Sequence, residues 1–296
     1  MKILITGGTG FIGTLLSDEL VNSGHELFIL TRSDKTNTRN INFIQWKSLR
    51  LEELPSLVSQ VDIVINLAGE SIVNKRWTKK QKDLLYKSRI ITTQLLVNAI
   101  NNANKKPKKL INASAVGIYG NRGDEKLIET SSPGNDFLAN ICKDWEAETN
   151  KVKTNVAILR IGIVLSRGGG ALEKILPPFK MFIGGPLGSG KQWMPWIHIK
   201  DIAGLIKFAI ENDNVTGILN ATSPNPVTNK EFSNILGKVL HRPSFMPVPA
   251  FALRLLLGEM ADLLLGGQKV IPERAIQIGY KFKYPDLESA LRKILT

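Results

Sequence analysis

Three glycines near the start of the chain, Gly7, Gly10 and Gly13, limit its fold more than any other feature. They follow the apolar run Lys2 to Thr6 and precede a segment, Phe11 to Ser23, whose apolar residues recur near helical spacing. Between a strand and a helix, the first glycine permits a tight turn and the second lets the backbone approach a pyrophosphate. The third lets the helix pack against the sheet. The spacing therefore predicts a dinucleotide-binding loop.

We expect this loop to bind phosphate through its backbone. The N-terminus of a helix presents free N–H groups and the positive end of the helix dipole, and both attract anions. A glycine-rich turn without a ligand is the alternative, but the strand before the loop and the helix after it are the context that the binding motif requires. The residues expected to contact the cofactor are Gly7, Thr9, Gly10, Phe11, Ile12 and Gly13.

Strand-like and helix-like segments alternate from the start of the chain to about residue 165. This alternation predicts an α/β fold with a doubly wound parallel sheet of the Rossmann type. Beyond residue 165 the sequence is rich in Gly and Pro and less regular. We therefore expect a cofactor-binding domain over 1–165, to which 200–221 return. Residues 166–199 and 222–296 would form a smaller C-terminal α/β region on the substrate side.

The residues after the second predicted strand, Glu26 to Leu30, indicate which dinucleotide binds. A site that prefers NAD usually has Asp or Glu there, which accepts hydrogen bonds from the ribose hydroxyls. Here the strand is followed by Thr31 and Arg32, and an arginine can pair with the 2′-phosphate of NADP(H). We therefore expect NADP(H), contacted by both residues. The alternative is an exposed Arg32 with Asp34 bound to the ribose.

The net charge of the chain is +13, but its basic residues are spread over short clusters that are typical of a solvated surface. The sequence has no nucleic-acid-binding motif and no apolar run near the roughly 20 residues that span a bilayer, so we expect neither partner. Cys142 is the only cysteine, so neither an internal disulfide nor a cysteine metal cluster can form. We expect a cytoplasmic protein without a signal peptide or a metal site.

Several short motifs together resemble one protein family. Besides the glycine loop, they are Asn66 to Ile72, Lys75 to Trp77, Ala113 to Ala115 with Tyr119 and Gly120, Asp136 to Ala139, Trp145 with Glu146, Gly184 to Gly190, and Trp196 to Ile199. The combination resembles the extended short-chain dehydrogenase/reductase superfamily. Within it, the chain is most similar to the atypical epimerase-family subgroup, which is NAD-dependent epimerase/dehydratase-like and has a C-terminal domain of unknown function. The resemblance covers essentially the whole chain.

The resemblance implies further cofactor contacts. Leu67, Ala68 and Gly69 would lie beside the adenine and its ribose, at the end of the fourth predicted strand. Arg89 would reach the cofactor from the long helix that follows, with a surface salt bridge as the alternative. Arg160 lies in an apolar strand, where a buried arginine needs an anionic partner. A cofactor phosphate and a structural carboxylate are equally good candidates for that partner.

The usual catalytic residues of the superfamily are incomplete in this chain. Typical members use Ser, Tyr and Lys, and the Tyr exchanges a proton while hydride moves. Ser114 matches the serine and is our one candidate catalytic residue. The helix predicted over 136–146 contains no Tyr. Phe137 or Leu138 would stand near the Tyr position and Cys142 near the Lys position, so the usual acid and base are missing.

Four other side chains could act in catalysis near the cofactor, and three of them could instead have a purely structural role. Cys142 and Tyr119 could be packed in the core, and His198 could hold a segment in position. Glu70, directly after Gly69, could face the substrate or the cofactor.

The C-terminal part of the chain is expected to face the substrate. The stretch from Arg167 to Trp196 is either a lid with aromatic walls or a folded loop with core tryptophans. A helix predicted from Phe251 to Leu265 is apolar nearly all round, so it is either well buried or the surface of a homodimer.

These patterns favour an NADP(H)-dependent oxidoreductase or epimerase that acts on a small molecule through an unusual acid/base. The alternative is a non-catalytic NADP(H)-binding redox sensor or regulatory protein. An ordinary sugar-nucleotide epimerase is disfavoured, because no Tyr-x-x-x-Lys pair occurs in the chain.

Overall fold

The computed structural model describes residues 1–296 and contains thirteen strands and eleven α-helices. The strands are β1 Lys2–Thr6, β2 Glu26–Thr31, β3 Ile41–Gln45, β4 Ile63–Asn66, β5 Lys109–Ala115, β6 Lys126–Leu127, β7 Asn155–Ile161, β8 Ile163–Ser166, β9 Trp193–Met194, β10 Trp196–His198, β11 Gly217–Ala221, β12 Val227–Thr228 and β13 Lys269–Val270. The helices are α1 Phe11–Asn22, α2 Leu54–Val58, α3 Lys79–Asn102, α4 Phe137–Thr149, α5 Gly170–Lys180, α6 Ile199–Glu211, α7 Asn229–Leu240, α8 Ala250–Leu257, α9 Ala261–Leu265, α10 Glu273–Gln277 and α11 Leu287–Leu295.

Seven strands form one parallel sheet in the order β11-β7-β5-β4-β1-β2-β3. The chain runs from β1 outward to β3, returns across the sheet to β4, and then continues outward in the other direction. The strand order reverses between β1 and β4, and in open α/β sheets such a reversal is where a ligand-binding crevice lies, outside the carboxyl ends of the strands. The Rossmann-type α/β fold predicted from the sequence is confirmed.

Alternate residues of the central strands pack into two apolar layers, one on each face of the sheet. In β1, Ile3 and Ile5 face the layer that contains α1 and α6, whereas Leu4 faces the layer that contains α2 and α3. All three are fully buried, and each such side chain stabilises the fold by about 1.5–3 kcal/mol. The alternation fixes the strand register, because a slip of one residue would turn every apolar side chain to the other face.

Short polar side chains join the strand ends at the crevice. Thr6 Oγ1 donates to Asn66 Oδ1 at 2.6 Å, and Asn66 Nδ2 donates to Asn112 Oδ1 at 2.7 Å. Asn66 Nδ2 also donates to Thr93 Oγ1 on α3, at 3.0 Å. All four residues are buried, where an unpaired polar group would be costly. The bonds therefore hold β1, β4 and β5 together at the edge where the predicted site lies.

A separate apolar cluster forms the C-terminal part of the molecule. Leu172, Phe232 and Leu291 bring together α5, α7 and α11, and they pack around Trp196 of β10. Trp196 is fully buried, and its indole N–H donates to the carbonyl oxygen of Asn225 at 3.1 Å. For Trp196, the core alternative is confirmed.

The helix predicted from Phe251 to Leu265 is divided into α8 and α9. Gly258 ends α8 with a φ of 60°, a conformation that only glycine adopts at no steric cost. Phe251, Leu255 and Leu256 of α8 are exposed, so the first of the two alternatives for this helix, that it is well buried, is wrong for its outer face. No helix of the chain combines the length and the apolar composition needed to cross a bilayer.

Candidate functional site

The glycine loop is shaped by backbone contacts that leave no room for larger side chains. Gly7 has a φ of 75°, and a Cβ there would lie 2.7 Å from the carbonyl carbon of Leu67. A Cβ at Gly13 would lie 2.1 Å from the carbonyl oxygen of Gly7. The loop therefore folds tightly against the end of β4 and the first turn of α1, as expected for the first and third glycines of the motif.

The first turn of α1 begins at the crevice without a side-chain cap. Its N-cap residue is Gly10, whose N–H donates to the carbonyl oxygen of Gly7 at 3.0 Å. The N–H groups in the first turn of a helix have no partner within the helix, and Gly10 has no side chain to accept from them. Together with the helix dipole, they can bind an anion such as a pyrophosphate.

Thr31 and Arg32 lie at the carboxyl end of β2, beside the same edge. Thr31 is buried, and its hydroxyl donates to the carbonyl oxygen of Ser33 at 3.1 Å. The Arg32 side chain is 90% exposed and lies 3.9 Å from Glu70, measured between Nη1 and Oε2. Such an exposed pair contributes only about 0–1 kcal/mol, so Arg32 can turn toward an anionic ligand at little cost. Asp34 is exposed as well.

Leu67, Ala68 and Gly69 follow directly after β4 and form one wall of the crevice. The N–H of Ala68 donates to Asn66 Oδ1 at 3.2 Å, which fixes the turn out of the strand. A Cβ at Gly69 would lie 3.2 Å from the guanidinium carbon of Arg89, so a larger residue would displace that group.

Arg89 reaches this wall from α3 and forms its hydrogen bonds with backbone carbonyls. Nη2 donates to the oxygen of Glu70 and Nη1 to the oxygen of Leu85, both at 3.0 Å. The guanidinium lies 5.4 Å from the centre of the Trp145 ring. The surface salt bridge considered from the sequence is not formed. Burial lowers the pKa of Arg89, so an anion in the crevice would stabilise its charge.

Arg160 pairs with a structural carboxylate, which corrects its predicted role as a cofactor contact. Nε and Nη2 donate to the two carboxylate oxygens of Glu146, each at 2.9 Å. Nη1 donates to Tyr119 Oη at 2.9 Å and to the carbonyl oxygen of Glu129 at 3.0 Å. Because all three nitrogens bind groups of the protein, the guanidinium is not free to bind a phosphate.

Glu146 belongs to one of the motifs noted in the sequence, but no role in this site was predicted for it. Its Oε1 accepts a hydrogen bond from Ser114 Oγ at 2.7 Å, so the candidate catalytic serine is joined to the ion pair with Arg160. Ser114 lies at the carboxyl end of β5, whereas Glu146 lies on α4. No spacing in the sequence connects the two residues. Two signals pointed toward it: the motif formed by Trp145 and Glu146, and an arginine in an apolar strand, which requires an anionic partner nearby.

The face of α4 that carries Tyr and Lys in typical members of the superfamily is apolar here. Leu138 packs 3.5 Å from the Cβ position of Gly117, and Cys142 is buried in a cluster with Val116 and Tyr119. Burial raises the pKa of the Cys142 thiol to about 12. The thiol is therefore protonated near neutral pH and is a poor nucleophile. The core alternative is confirmed for Cys142.

Tyr119 and His198 both have structural partners. Tyr119 is fully buried, and its hydroxyl donates to Asn220 Oδ1 at 2.7 Å. His198 Nδ1 accepts from the N–H of Lys200 at 3.1 Å and caps α6, and its ring stacks on Tyr284 with 3.9 Å between ring centres. Burial lowers the pKa of His198 to about 4, so the ring is neutral near neutral pH. Both side chains hold neighbouring segments in position.

The arrangement at this edge suits a dinucleotide with an additional phosphate. Free N–H groups lie at the start of α1, an exposed guanidinium lies at the end of β2, and the segment after β4 forms a wall on the other side of β1. Among the candidate catalytic groups, the Ser114 hydroxyl remains at the carboxyl end of β5. No three His, Cys, Asp or Glu side chains form a cluster that could hold a metal ion.

Comparisons with known proteins identify the family. A model of the NAD dependent epimerase/dehydratase family matches residues 3–221, and a model of a domain of unknown function, DUF1731, matches residues 248–294. The epimerase family protein YfhF of Bacillus subtilis is 40% identical over 303 residues, which cover 100% of this chain and 98% of the relative. The human epimerase family protein SDR39U1 is 40% identical over 301 residues, which cover 100% of both chains.

Solved structures agree with this relationship. The crystal structure of human SDR39U1 (isoform 2) with NADPH matches with a TM-score of 0.92 and 38% identity, over 99% of each chain. A nucleoside-diphosphate sugar epimerase from Corynebacterium glutamicum matches with a TM-score of 0.79 and 31% identity, over 100% of this chain and 58% of that one. MoeE5 in complex with UDP-glucose and NAD, at 19% identity and a TM-score of 0.78, shares the fold. The chain thus belongs to the NAD dependent epimerase/dehydratase family, among the epimerase family proteins with a C-terminal DUF1731 domain.

Proposed function

We propose that this protein binds NADP(H) at the carboxyl ends of β1, β2 and β4. The observation that carries the proposal is the glycine loop, where Gly7 and Gly13 leave no room for a side chain and α1 begins without a cap. A loop of this shape lets a pyrophosphate approach the backbone. The NADPH in the structure of the human relative supports the choice of cofactor.

Each part of the cofactor has a candidate partner in the crevice. The N–H groups of the loop from Gly7 to Gly13 would bind the pyrophosphate, and Leu67 to Gly69 would lie against the adenine and its ribose. Arg32 would bind the 2′-phosphate, because its side chain is exposed and only weakly paired. Arg89 would add a positive charge behind the wall, where it has no carboxylate partner.

We further propose that the bound cofactor serves an oxidoreductase or epimerase reaction on a small molecule. NADP(H), when bound, supplies or accepts a hydride. Ser114 would contact the substrate, because its Oγ lies at the carboxyl end of β5 and its proton is directed to Glu146. An oxygen held in this way can accept a hydrogen bond from a substrate hydroxyl. Ser114 would therefore orient that hydroxyl and take part in moving its proton.

One observation favours a second candidate function, which is NADP(H) binding without turnover by a redox sensor or regulatory protein. The α4 positions that would carry Tyr and Lys hold Leu138 and Cys142, and the Cys142 thiol has a pKa of about 12. Neither side chain can exchange a proton with a substrate near neutral pH. In this case the protein would report the state of the cofactor to a partner.

A turnover assay distinguishes the two candidates. We expect the protein to convert at least one compound from a broad panel of carbonyl compounds and sugar nucleotides. A net reduction is detected as a change in NADPH absorbance. An epimerisation returns the hydride to the product and leaves NADPH absorbance unchanged, so it is detected as a new stereoisomer by NMR. Ser114→Ala should lower kcat by roughly 10²–10⁴-fold, the range found for lost proton-transfer groups. Ser56→Ala, which alters an exposed serine of α2, is the matched control and should leave kcat unchanged. Tight NADPH binding without turnover over the whole panel would support the sensor and contradict the enzyme.

A further inference from the structure

Glu70 lies between the two arginines of the crevice, and its backbone is fixed to α3. Its N–H donates to Ser88 Oγ at 3.0 Å, and its carbonyl oxygen accepts from Arg89 Nη2 at 3.0 Å. The Glu70 side chain is 20% exposed, compared with 90% for its partner Arg32. The carboxylate is therefore the more enclosed member of the pair, and the guanidinium is the more exposed one.

The carboxylate of Glu70 approaches the group that is proposed to bind the 2′-phosphate. Its Oε2 lies 3.9 Å from Arg32 Nη1. Glu70 and a 2′-phosphate would thus compete for one guanidinium. They also carry charges of the same sign, and two like charges that both approach one guanidinium repel each other near a protein surface. Glu70 should therefore weaken the binding of NADP(H).

The same carboxylate has the opposite effect on a dinucleotide without the 2′-phosphate. In sites that prefer NAD, an acidic side chain accepts hydrogen bonds from the ribose hydroxyls. Glu70 lies on the β4 wall rather than at the end of β2, but its carboxylate reaches the space beside Arg32 from that wall. It can therefore accept from a free 2′-hydroxyl.

We propose that Glu70 is a specificity-determining residue for the cofactor. Its carboxylate competes with the 2′-phosphate for Arg32 and thereby reduces the preference for NADP(H) over NAD(H). This inference rests on the proposed binding of NADP(H). It predicts that removing the charge of Glu70 increases the selectivity of the protein for NADPH.

Equilibrium titrations of NADPH and NADH into the full chain test the proposal. In Glu70→Gln, we expect the Kd for NADPH to fall about three- to tenfold and the Kd for NADH to stay the same or rise. The change should shrink at high ionic strength, because salt screens charges that are exposed to solvent.

Glu211→Gln is the matched control. It removes the same charge from an ion pair of similar length, 3.8 Å between Glu211 and Lys207. Glu211 ends α6, and Lys109, the first residue of β5, binds carbonyls at that end of the helix. Glu211 therefore lies at the amino edge of the sheet, opposite the crevice. Its replacement should leave the ratio of the two Kd values unchanged.

Other outcomes separate failure of the inference from failure of the proposed function. If Glu70→Gln weakens both dinucleotides equally, Glu70 only supports the loop and the inference is wrong. If the unaltered protein binds neither dinucleotide, the proposed function itself fails. Glu70→Asp keeps the charge and should keep the original ratio of the Kd for NADH to the Kd for NADPH. A clearly higher ratio in Glu70→Asp would overturn the inference. This variant also tests the inference if Glu70→Gln does not fold.

Discussion

At the scale of single residues, Arg160 shows how far the sequence can define a site. An arginine in an apolar strand requires an anion, and a cofactor phosphate or a carboxylate would each meet that requirement. Which of the two anions pairs with Arg160 depends on α4, because this helix places Glu146 against both Arg160 and Ser114. The glycine loop could be predicted because its residues are adjacent in the sequence. The buried ion pair could not, because it is formed only when β7 and α4 pack together.

The ion pair should be important for stability, because its two side chains are only 7% and 8% exposed. Glu146→Ala would leave the Arg160 charge buried without a partner, at a cost of about 3–5 kcal/mol in the free energy of unfolding. Urea denaturation at neutral pH measures this cost. Glu288→Ala breaks the surface pairs with Lys238 and Arg292 and should cost much less, because water screens charges that are exposed to solvent. Similar losses in the two variants would refute the importance of the buried pair.

At the scale of elements, local capping signals account for much of what could be predicted. Asp136 accepts from the N–H of Ala139 at the start of α4, close to where the sequence indicated a helix. The division between α8 and α9 was missed because the apolar pattern continues through Gly258. A glycine can either continue a helix at some cost or end it with a positive φ, and the sequence does not distinguish the two outcomes.

The cap of α6 predicts a pH dependence of stability. Burial lowers the pKa of His198 from 6.5 to about 4, so the unfolded chain takes up the proton first as the pH falls. The stability that His198 contributes is fully present above about pH 6.5 and is lost progressively toward pH 4, by up to about 3 kcal/mol. Urea denaturation at several pH values in this window measures the loss.

His198→Asn is the informative variant, because Asn can still accept from the N–H of Lys200 but does not titrate. The variant should lose less stability than the unaltered protein between pH 6.5 and pH 4. An equal loss in both proteins would show that other buried groups account for the dependence.

At the scale of the whole molecule, the alternation of strands and helices was sufficient to predict the parallel sheet but not the surroundings of the crevice. The C-terminal part forms its own apolar cluster through contacts between α5, α7 and α11, which are far apart in the sequence. The division of the chain into a cofactor domain and a substrate-side region stays a prediction. A homodimer also stays a prediction, and the exposed side chains of Phe251, Leu255 and Leu256 are the surface on which it would form.

The central claim is that the glycine loop and Arg32 together select NADP(H), and one calorimetric titration tests it most directly. The unaltered protein should bind NADPH more tightly than NADH. Arg32→Glu should weaken NADPH binding by about 10–100-fold, the equivalent of one charge-assisted hydrogen bond, and should change NADH binding much less. Equal affinities of the unaltered protein for NADPH and NADH would contradict the claim.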